Sequence, residues 1–437
     1  MDSKDFRGYD YCEDLHSSLI KLSLFFEIIK ACGYNIGFSY DDLEKVVLQI
    51  QIFINAYTVP KNKLGDLLPS KYTNISSPLF TITELISNDI YLDKDIVNRI
   101  FDILSISIEE IKDDDVYGVI KVDNKYCMVY FDYFVAGLYE KLEHFVINNG
   151  IDKDKYYKFR GKYFERLLNE TFKSELKNIQ IYKNTNYYLS DEKNEIDLLI
   201  LNENNIIIVE CKSSNYNEPI NLMEINDSLY KGLKNSFGRG FKTLDKAYYY
   251  FRTGSVIEIH KNDEIVKIDT ANKEIYTLMI SLKSIKSISG NLSKIIKDKN
   301  INHIPLVICY SDLLTILKNT NDIQKICYYL KQRDYILNSL SNVTFDLDEV
   351  DAYGIITSNQ YERLIDSIKI MRNIDLSYYT TNSAYRKEAN FEINNLVLNY
   401  LINKYTNWNS ENYGGNKWVK QVKLENIATI IRVDCSI

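Results

Sequence analysis

Residues 194–212 read NEIDLLILNENNIIIVECK, two apolar runs separated by a short polar segment. Runs of Ile, Leu and Val of this length, bounded by Asn, are typical of buried strands joined by a hairpin turn. A two-residue turn at Glu203 and Asn204 would place Leu201 opposite Ile206. Because both faces of each run are apolar, the sequence predicts two central strands that are covered on both sides.

The same register brings charged residues together at the open end of the hairpin. Asp197 would face Glu210 and Glu195 would face Lys212, with all four side chains on one face because side chains alternate along a strand. Two opposed carboxylates about 5 Å apart repel by roughly 3 kcal/mol at an effective dielectric near 20. A divalent cation would remove this repulsion, so the pattern favours a metal site. The alternative is a solvated strand end with incidental charges.

This arrangement resembles the signature of the PD-(D/E)xK nuclease superfamily, most closely its nuclease-related and archaeal-resolvase-like branch. The resemblance covers roughly residues 155–285 and includes Glu165 in GKYFERLL, on the helix before the hairpin. It departs from the family at Ile196, where many members have proline, and in KTLDKAYYY, which lacks the glutamine that often marks the next helix.

The resemblance implies a restriction-endonuclease-like core that hydrolyses DNA phosphodiester bonds with Mg²⁺ or Mn²⁺. By this analogy Asp197 and Glu210 ligate the metal, together with the backbone carbonyl of Cys211. Glu165 would hold a second metal or a metal-bound water. Lys212 would orient the attacking water or offset phosphate charge. The catalytic residues it implies are therefore Glu165, Asp197, Glu210 and Lys212.

Glu195 is open to three interpretations: part of the metal shell, a partner of Lys212, or an exposed residue. A basic segment at 228–252 follows the hairpin and contains a single acid, Asp245. Positive charge at this density indicates nucleic-acid binding, although an ordinary solvated helix face is the alternative. The candidate DNA-binding residues are Lys231, Lys234, Arg239, Lys242 and Lys246.

Charge and composition limit the functional classes. The 437-residue chain has a net charge of −7, and the acidic excess lies in residues 1–150, with 14 Lys and Arg against 24 Asp and Glu. Residues 151–437 hold 39 basic and 36 acidic residues, so this part is free to face a polyanion. The first residues lack a signal-peptide pattern and no long apolar run occurs, which predicts a cytoplasmic protein without a membrane segment.

We expect an α/β protein with three parts. Residues 1–150 are predicted to form a mainly helical acidic N-terminal domain. Residues 151–340 are predicted to form the nuclease core, a mixed β-sheet flanked by helices with a sheet extension. Residues 341–437 are predicted to form a helical C-terminal region.

Other functions are compatible with the same residues. The core could be a catalytically silent or partner-activated nucleic-acid-binding module, or its substrate could be RNA. Cutting both strands of DNA usually requires two active sites, which favours a homodimer. No GxxxxGK[ST] motif occurs, so an NTP-driven step would need a partner such as an ATPase or helicase, which the N-terminal domain would contact. By family analogy, the process would be antiviral defence against foreign DNA.

Overall fold

The protein is described from a computed structural model. The structure describes residues 15–58, 79–86, 92–107, 119–128, 131–213, 227–261, 264–283, 301–339, 343–345, 349–357, 361 and 431–433. The chain divides into two compact units, Tyr11–Phe164 and a second that contains Glu165–Ile437.

The first unit combines helices with a small sheet. Its elements are α1 (Leu15–Cys32), α2 (Tyr40–Thr58), β1 (Leu79–Phe80), α3 (Ile82–Ile86), α4 (Lys94–Leu104), β2 (Ser105–Ser107), β3 (Val119–Val122), β4 (Lys125–Met128) and α5 (Phe131–Asn148). The four short strands pair in the order β1-β4-β3-β2. The alternation in residues 117–131 predicts a hairpin around residues 123–125, and the pairing of β3 with β4 confirms it. The strands β1 and β2 were not predicted, because runs of two and three residues are too short to show a clear alternation of apolar and polar positions.

The second unit is built on a seven-stranded mixed sheet. After α6 (Lys153–Glu175), its elements are β5 (Gln180–Leu189), β6 (Glu192–Leu201), β7 (Asn205–Lys212), α7 (Asp227–Thr253), β8 (Val256–Lys261), β9 (Glu264–Asp269), β10 (Glu274–Ser281), β11 (Leu306–Cys309), α8 (Tyr310–Thr320) and α9 (Ile323–Ser339). The strand order is β11-β10-β7-β6-β5-β8-β9. β7 is antiparallel to β6 and parallel to β10, so the predicted mixed α/β architecture is confirmed.

The predicted hairpin of β6 and β7 is confirmed with its register. Leu201 pairs with Ile206, and the ladder continues in step as far as Leu198 and Val209. The amide of Asn202 donates to the carbonyl of Asn205 at 3.1 Å, which closes the turn around the two predicted residues. Apolar residues fill β7 because it lies between β6 and β10 in the middle of the sheet.

Helix α7 covers one face of this sheet. Its apolar side chains pack in one buried cluster with side chains of the strands. The members of this cluster from α7 are Phe237, Phe241, Leu244, Ala247 and Phe251. The helix runs without a break through Gly238 and Gly240. Burial of this apolar stripe outweighs the helix-propensity cost of about 1 kcal/mol per glycine.

The alternation of side chains is disturbed where β5 passes β6 near Asp197. Ile196 and Leu199 lie three positions apart, which would put them on opposite faces of a regular strand, yet both belong to the cluster beneath α7. The ladder between β5 and β6 skips Asn184 and Asp197, and Asn184 has a φ of 50°. Regular alternation would place Ile196 on the face opposite Leu199, and the two residues share a face because the strands are irregular next to the left-handed residue in β5.

The region from residue 341 onward is described only in part. Strands β12 (Val343–Phe345) and β13 (Ile431–Val433) pair antiparallel, and α10 (Glu349–Ile356) is helical. The two strands depart from the predicted helical region, and the rest of that prediction falls outside the described residues. Within the described ranges, no helix is both long enough and apolar enough to cross a membrane.

Ile208→Ala is expected to lower the free energy of unfolding by about 2–5 kcal/mol, because Ile208 is 1% exposed in the central strand and its loss leaves a cavity. Urea unfolding followed by circular dichroism measures the change. Ile265→Ala is the matched control, since Ile265 is 56% exposed on the edge strand β9 and should cost less than about 1 kcal/mol. Equal losses in the two variants would contradict the assignment of β7 to the core.

Candidate active site

Asp197 marks the place where the hairpin ladder ends. Its Oδ2 accepts a hydrogen bond from the backbone amide of Cys211 at 2.6 Å. Asp197 and Glu210 are the next positions after the last ladder pair, as the register predicted, but the side-chain bond to Cys211 replaces regular pairing there. The carboxylate of β6 is therefore tied directly to the strand that carries the other two candidate residues.

Lys212 and Glu210 form an ion pair within β7. The Nζ atom of Lys212 donates to Oε1 of Glu210 at 2.6 Å, and the two side chains are only 17% and 12% exposed. The predicted contact of Lys212 with Glu195 is wrong, because alternation places Glu210 and Lys212 on the same face of one strand, where the two side chains reach each other. Glu195 is exposed at the end of β6.

Helix α7 approaches this ion pair at Gly240. A Cβ atom at position 240 would lie 2.6 Å from Cε of Lys212, 2.8 Å from Cε of Met279 and 3.3 Å from Cγ of Glu210. Only glycine leaves room for both charged side chains against the helix. The sequence around Gly240 gives no reason for a glycine in the middle of a helix, and only the packing of α7 on β7 and β10 supplies it.

Like charges converge on Asp197. Burial raises the pKa of Asp197 to about 7, and the nearby carboxylates of Glu210 and Glu165 also raise it. The amide of Cys211 and the ammonium of Lys212 act in the opposite direction. The predicted electrostatic conflict between Asp197 and Glu210 is therefore present.

Glu165 extends towards the same group from α6. Burial raises the pKa of Glu165, with Glu195 and Glu210 adding to the effect, while a hydrogen bond with Asn184 and the charge of Lys183 lower it. Glu195 is thus an electrostatic neighbour of Glu165. The carboxylates of Glu165 and Glu210 and the ammonium of Lys212 therefore lie within electrostatic reach of Asp197, and the action of these four residues as one catalytic set stays a prediction.

Cys211 has no reactive role that the structure supports. Burial raises the pKa of its thiol well above the usual range, and the carboxylate of Asp197 adds to the effect. The thiol therefore stays protonated, in agreement with the predicted inert side chain. The use of its backbone carbonyl as a metal ligand stays a prediction.

Three buried hydroxyl groups near the hairpin lack hydrogen-bond partners among the described residues. They belong to Thr185, Tyr187 and Ser281, each of which is fully buried. Thr185 and Tyr187 lie on β5 beside β6, and Ser281 lies on β10 in register with Lys212. Such groups cost about 1–3 kcal/mol each when they are unsatisfied, so they call for an explanation. Sequence reasoning missed all three, because nothing in a lone Ser, Thr or Tyr reveals an absent partner.

The candidate DNA-binding residues lie on α7, and four of them have exposed side chains. Lys234, Arg239, Lys242 and Lys246 are exposed, and Lys231 lies in the same helix. The Nζ atom of Lys246 lies 3.2 Å from Oε2 of Glu192 on β6, so the positive charge of Lys246 is partly offset. Arg239 and Lys242 flank Gly240 in sequence. The helix that packs on the ion pair therefore also presents positive charge to solvent.

The donor set at the hairpin end suits a hard divalent cation. Magnesium prefers carboxylate oxygens and usually binds one or two of them together with water and phosphate oxygens. Asp197 and Glu210 provide two such groups, and the raised pKa of Asp197 reflects a negative field that a cation would relieve. Across the described ranges, no three His, Cys, Asp or Glu side chains group closely enough to hold one ion. Asp197 and Glu210 are the two carboxylates whose chemistry suits such an ion.

Fold and site define a mixed α/β protein with a carboxylate and ammonium cluster at the end of a central hairpin. Residues 160–277 match the model of a family described as a domain of unknown function (DUF4143). This match covers well under half of the chain but contains all four candidate catalytic residues.

No curated protein is significantly similar in sequence to the chain. The crystal structure of protein VC1899 from Vibrio cholerae aligns with 11% identity over 72% of this chain, with a TM-score of 0.23. The aligned part spans 57% of the length of VC1899. A TM-score this low does not establish a common fold.

Asp197→Asn is expected to raise the melting temperature of the metal-free protein by several degrees at pH 8. The folded state keeps a proton on Asp197 up to about pH 7, whereas the unfolded chain releases it near pH 4. The folded state therefore binds more protons between these values, and the native carboxylate costs more stability as the pH rises. The increase in melting temperature of Asp197→Asn over the wild type should be absent below about pH 4, grow up to about pH 7 and then level off.

Thermal unfolding in EDTA at a series of pH values measures this effect. Asp269→Asn is the control, because its exposed carboxylate also accepts a backbone hydrogen bond, from Ala271 at 2.9 Å. A destabilising Asp197→Asn variant at pH 8 would contradict the proposed charge conflict.

Proposed function

We propose that the protein is a Mg²⁺-dependent nuclease of the PD-(D/E)xK class that hydrolyses DNA phosphodiester bonds. One observation carries the proposal: the charges of Glu210 and Glu165 act on the buried carboxylate of Asp197 at the end of a central hairpin, beside the ammonium group of Lys212. A structural ion pair would explain Glu210 and Lys212. It would not explain the buried carboxylate of Asp197 or the nearby carboxylate of Glu165.

Asp197 and Glu210 would hold the Mg²⁺ or Mn²⁺ ion, and the carbonyl of Cys211 is the proposed third protein ligand. When bound, such an ion lowers the pKa of a coordinated water and neutralises charge that develops on the phosphate. The hydrogen bond from the amide of Cys211 orients the carboxylate of Asp197. Glu165 is the proposed ligand of a second ion or of a metal-bound water.

Lys212 supplies a fixed positive charge next to the proposed ligands. Its contact with Glu210 and its limited exposure hold the ammonium at the edge of the site. An ammonium in this place stabilises negative charge on the phosphate in the transition state and orients the attacking water. Glu210 would share its oxygens between the ion and Lys212.

The exposed basic residues of α7 are the proposed path for the DNA backbone. Arg239 and Lys242 adjoin Gly240, the residue that contacts the ion pair. Phosphate contacts of this kind position a nucleic acid without reading its sequence. The proposed path for the DNA backbone does not depend on the N-terminal domain, on a homodimer or on an ATPase or helicase partner, all of which stay predictions.

Purified protein is expected to nick or cut plasmid DNA in Mg²⁺ and to be inactive in EDTA. Asp197→Asn, Glu210→Gln and Lys212→Met should each reduce the rate by about 100-fold or more, which is typical of removing one group that stabilises a transition state. Glu192→Gln is the control, because Glu192 is an exposed acid on the same strand as Asp197. Conversion of supercoiled to open or linear plasmid measures the rate.

The same assay separates the competing functions. Cleavage of RNA but not of DNA would assign the protein as a ribonuclease. Mg²⁺-dependent binding of DNA without cleavage would assign a catalytically silent binding module. Equal cleavage by the wild type and all three variants would show that the site is not catalytic.

Gly240→Ala is expected to reduce the cleavage rate at least tenfold while changing the free energy of unfolding by less than about 1 kcal/mol. The new methyl group gains about 1 kcal/mol in helix propensity, and the atoms it meets, Cε of Lys212 and Cε of Met279, are the ends of flexible side chains that can move aside. Moving Lys212 separates its ammonium from Glu210. Kinetics and urea unfolding of the same preparation test this, and unchanged kinetics would show that Lys212 is not held by α7.

A further inference from the structure

Ser281 is a buried residue of β10 whose hydroxyl group has no role in holding the sheet together. Its side chain is fully buried, and within the described part of the chain its Oγ atom has no hydrogen-bond partner. A buried hydroxyl group without a partner lowers stability, so alanine would suit the core better at this position. The hydroxyl group therefore calls for an explanation in the residues beside it.

The strand register places Ser281 directly beside Lys212. The two residues are paired in the parallel ladder of β10 and β7, and the amide of Leu282 donates to the carbonyl of Lys212 at 2.9 Å. Paired residues on adjacent strands lie about 4.8 Å apart and point to the same face. Met279 lies two positions before Ser281 on that face of β10. It borders Gly240 of α7, as Lys212 does, so this face lies beneath α7.

The ammonium group of Lys212 can make more hydrogen bonds than the one to Glu210. Its Nζ atom donates to Oε1 of Glu210 at 2.6 Å, which uses one of three N–H donors. Gly240 lies close to Cε of Lys212, so α7 restricts the side chain from above. On the β6 side the ladder ends before it reaches Lys212, whereas on the β10 side Ser281 is buried in register. Ser281 is therefore an acceptor that the fold holds in place next to Lys212.

We infer that Ser281 is a positioning residue that accepts a hydrogen bond from the ammonium group of Lys212 when Glu210 turns its oxygens to a divalent cation. The inference rests on the proposed function, and it identifies a supporting residue outside the charged motif. A cation at Glu210 weakens the ion pair, because its positive charge repels the ammonium group. The four-carbon stem of lysine is flexible, so Nζ can turn to the neighbouring strand without a shift of the backbone. Ser281 then keeps the ammonium group beside the site, where it stabilises negative charge on the phosphate.

Ser281→Ala tests the inference, because it removes the hydroxyl group and little else. Titration of the EDTA-treated and dialysed protein with Mg²⁺ by isothermal titration calorimetry is expected to give a Kd about tenfold weaker than that of the wild type. Without Ser281 the ammonium group keeps its bond to Glu210 and competes with the cation. The free energy of unfolding in EDTA should be unchanged or higher, since the lost hydroxyl group had no partner.

Lys212→Met separates an effect through the ammonium group from an effect of packing. If Ser281 acts on Mg²⁺ binding through Lys212, adding Ser281→Ala to Lys212→Met should leave the Kd for Mg²⁺ unchanged. An equal loss of Mg²⁺ affinity in the wild-type and Lys212→Met backgrounds would overturn the inference, because the effect would then not pass through Lys212.

Thr277→Val is the matched control on the same face of β10. The hydroxyl group of Thr277 is buried and lies 2.9 Å from Nε2 of His303, so this variant should lose stability and bind Mg²⁺ like the wild type. Wild-type Mg²⁺ affinity in Ser281→Ala would overturn the inference and leave the proposed function standing if DNA is still cleaved. A wild type that neither binds Mg²⁺ nor cleaves DNA would overturn both.

Discussion

The pairing of β6 with β7 is the constraint on which the rest of the structure depends. A slip of one residue would exchange the two faces of one strand and move Asp197 away from Glu210 and Cys211. The turn resists such a slip, because Oδ1 of Asn202 accepts from the amides of Asn204 and Asn205 at 3.0 and 2.7 Å. Lys273 also donates to the carbonyls of Asn202 and Glu203, which ties β10 to the same turn.

This rigid hairpin makes it possible to hold groups that repel each other. A buried carboxylate near other carboxylates lowers stability, and only a well-packed frame can keep it in place. The frame consists of the sheet and the apolar cluster beneath α7. Ile208, two residues before Glu210 on β7, belongs to this cluster. The hydrogen bond between Cys211 and Asp197 then links the last buried part of the hairpin to its polar end. The buried core and the repelling charges of the site are thus only one or two residues apart along each strand.

Helix α7 joins the core and the site in a single element. Its apolar side covers the sheet, and Gly240 shows that close packing on the strands has priority over helix propensity. At Gly240 this packing limits the space available to Lys212 and Glu210. The basic residues lie on the exposed side of the same helix. Helix α7 therefore fixes their position relative to the ion pair of Lys212 and Glu210.

The sequence by itself determined the hairpin, its turn, its register and the four charged residues gathered near its open end. These follow from local rules, because strand alternation and a two-residue turn leave a single way to pair two apolar runs. The mixed β-sheet of the second unit also follows from the sequence, because the runs that form its strands are long or strongly apolar.

Only the tertiary structure decided which partners those charges have and what surrounds them. The local turn at Asn184, the ion pair within β7, the close approach of Gly240 and the unsatisfied hydroxyl of Tyr187 all depend on elements distant in sequence. Strands β1 and β2 of the first unit were missed for a related reason, since they are defined by pairing with β4 and β3 rather than by their own pattern. Periodicity describes one element at a time, whereas these contacts arise where separate elements pack together.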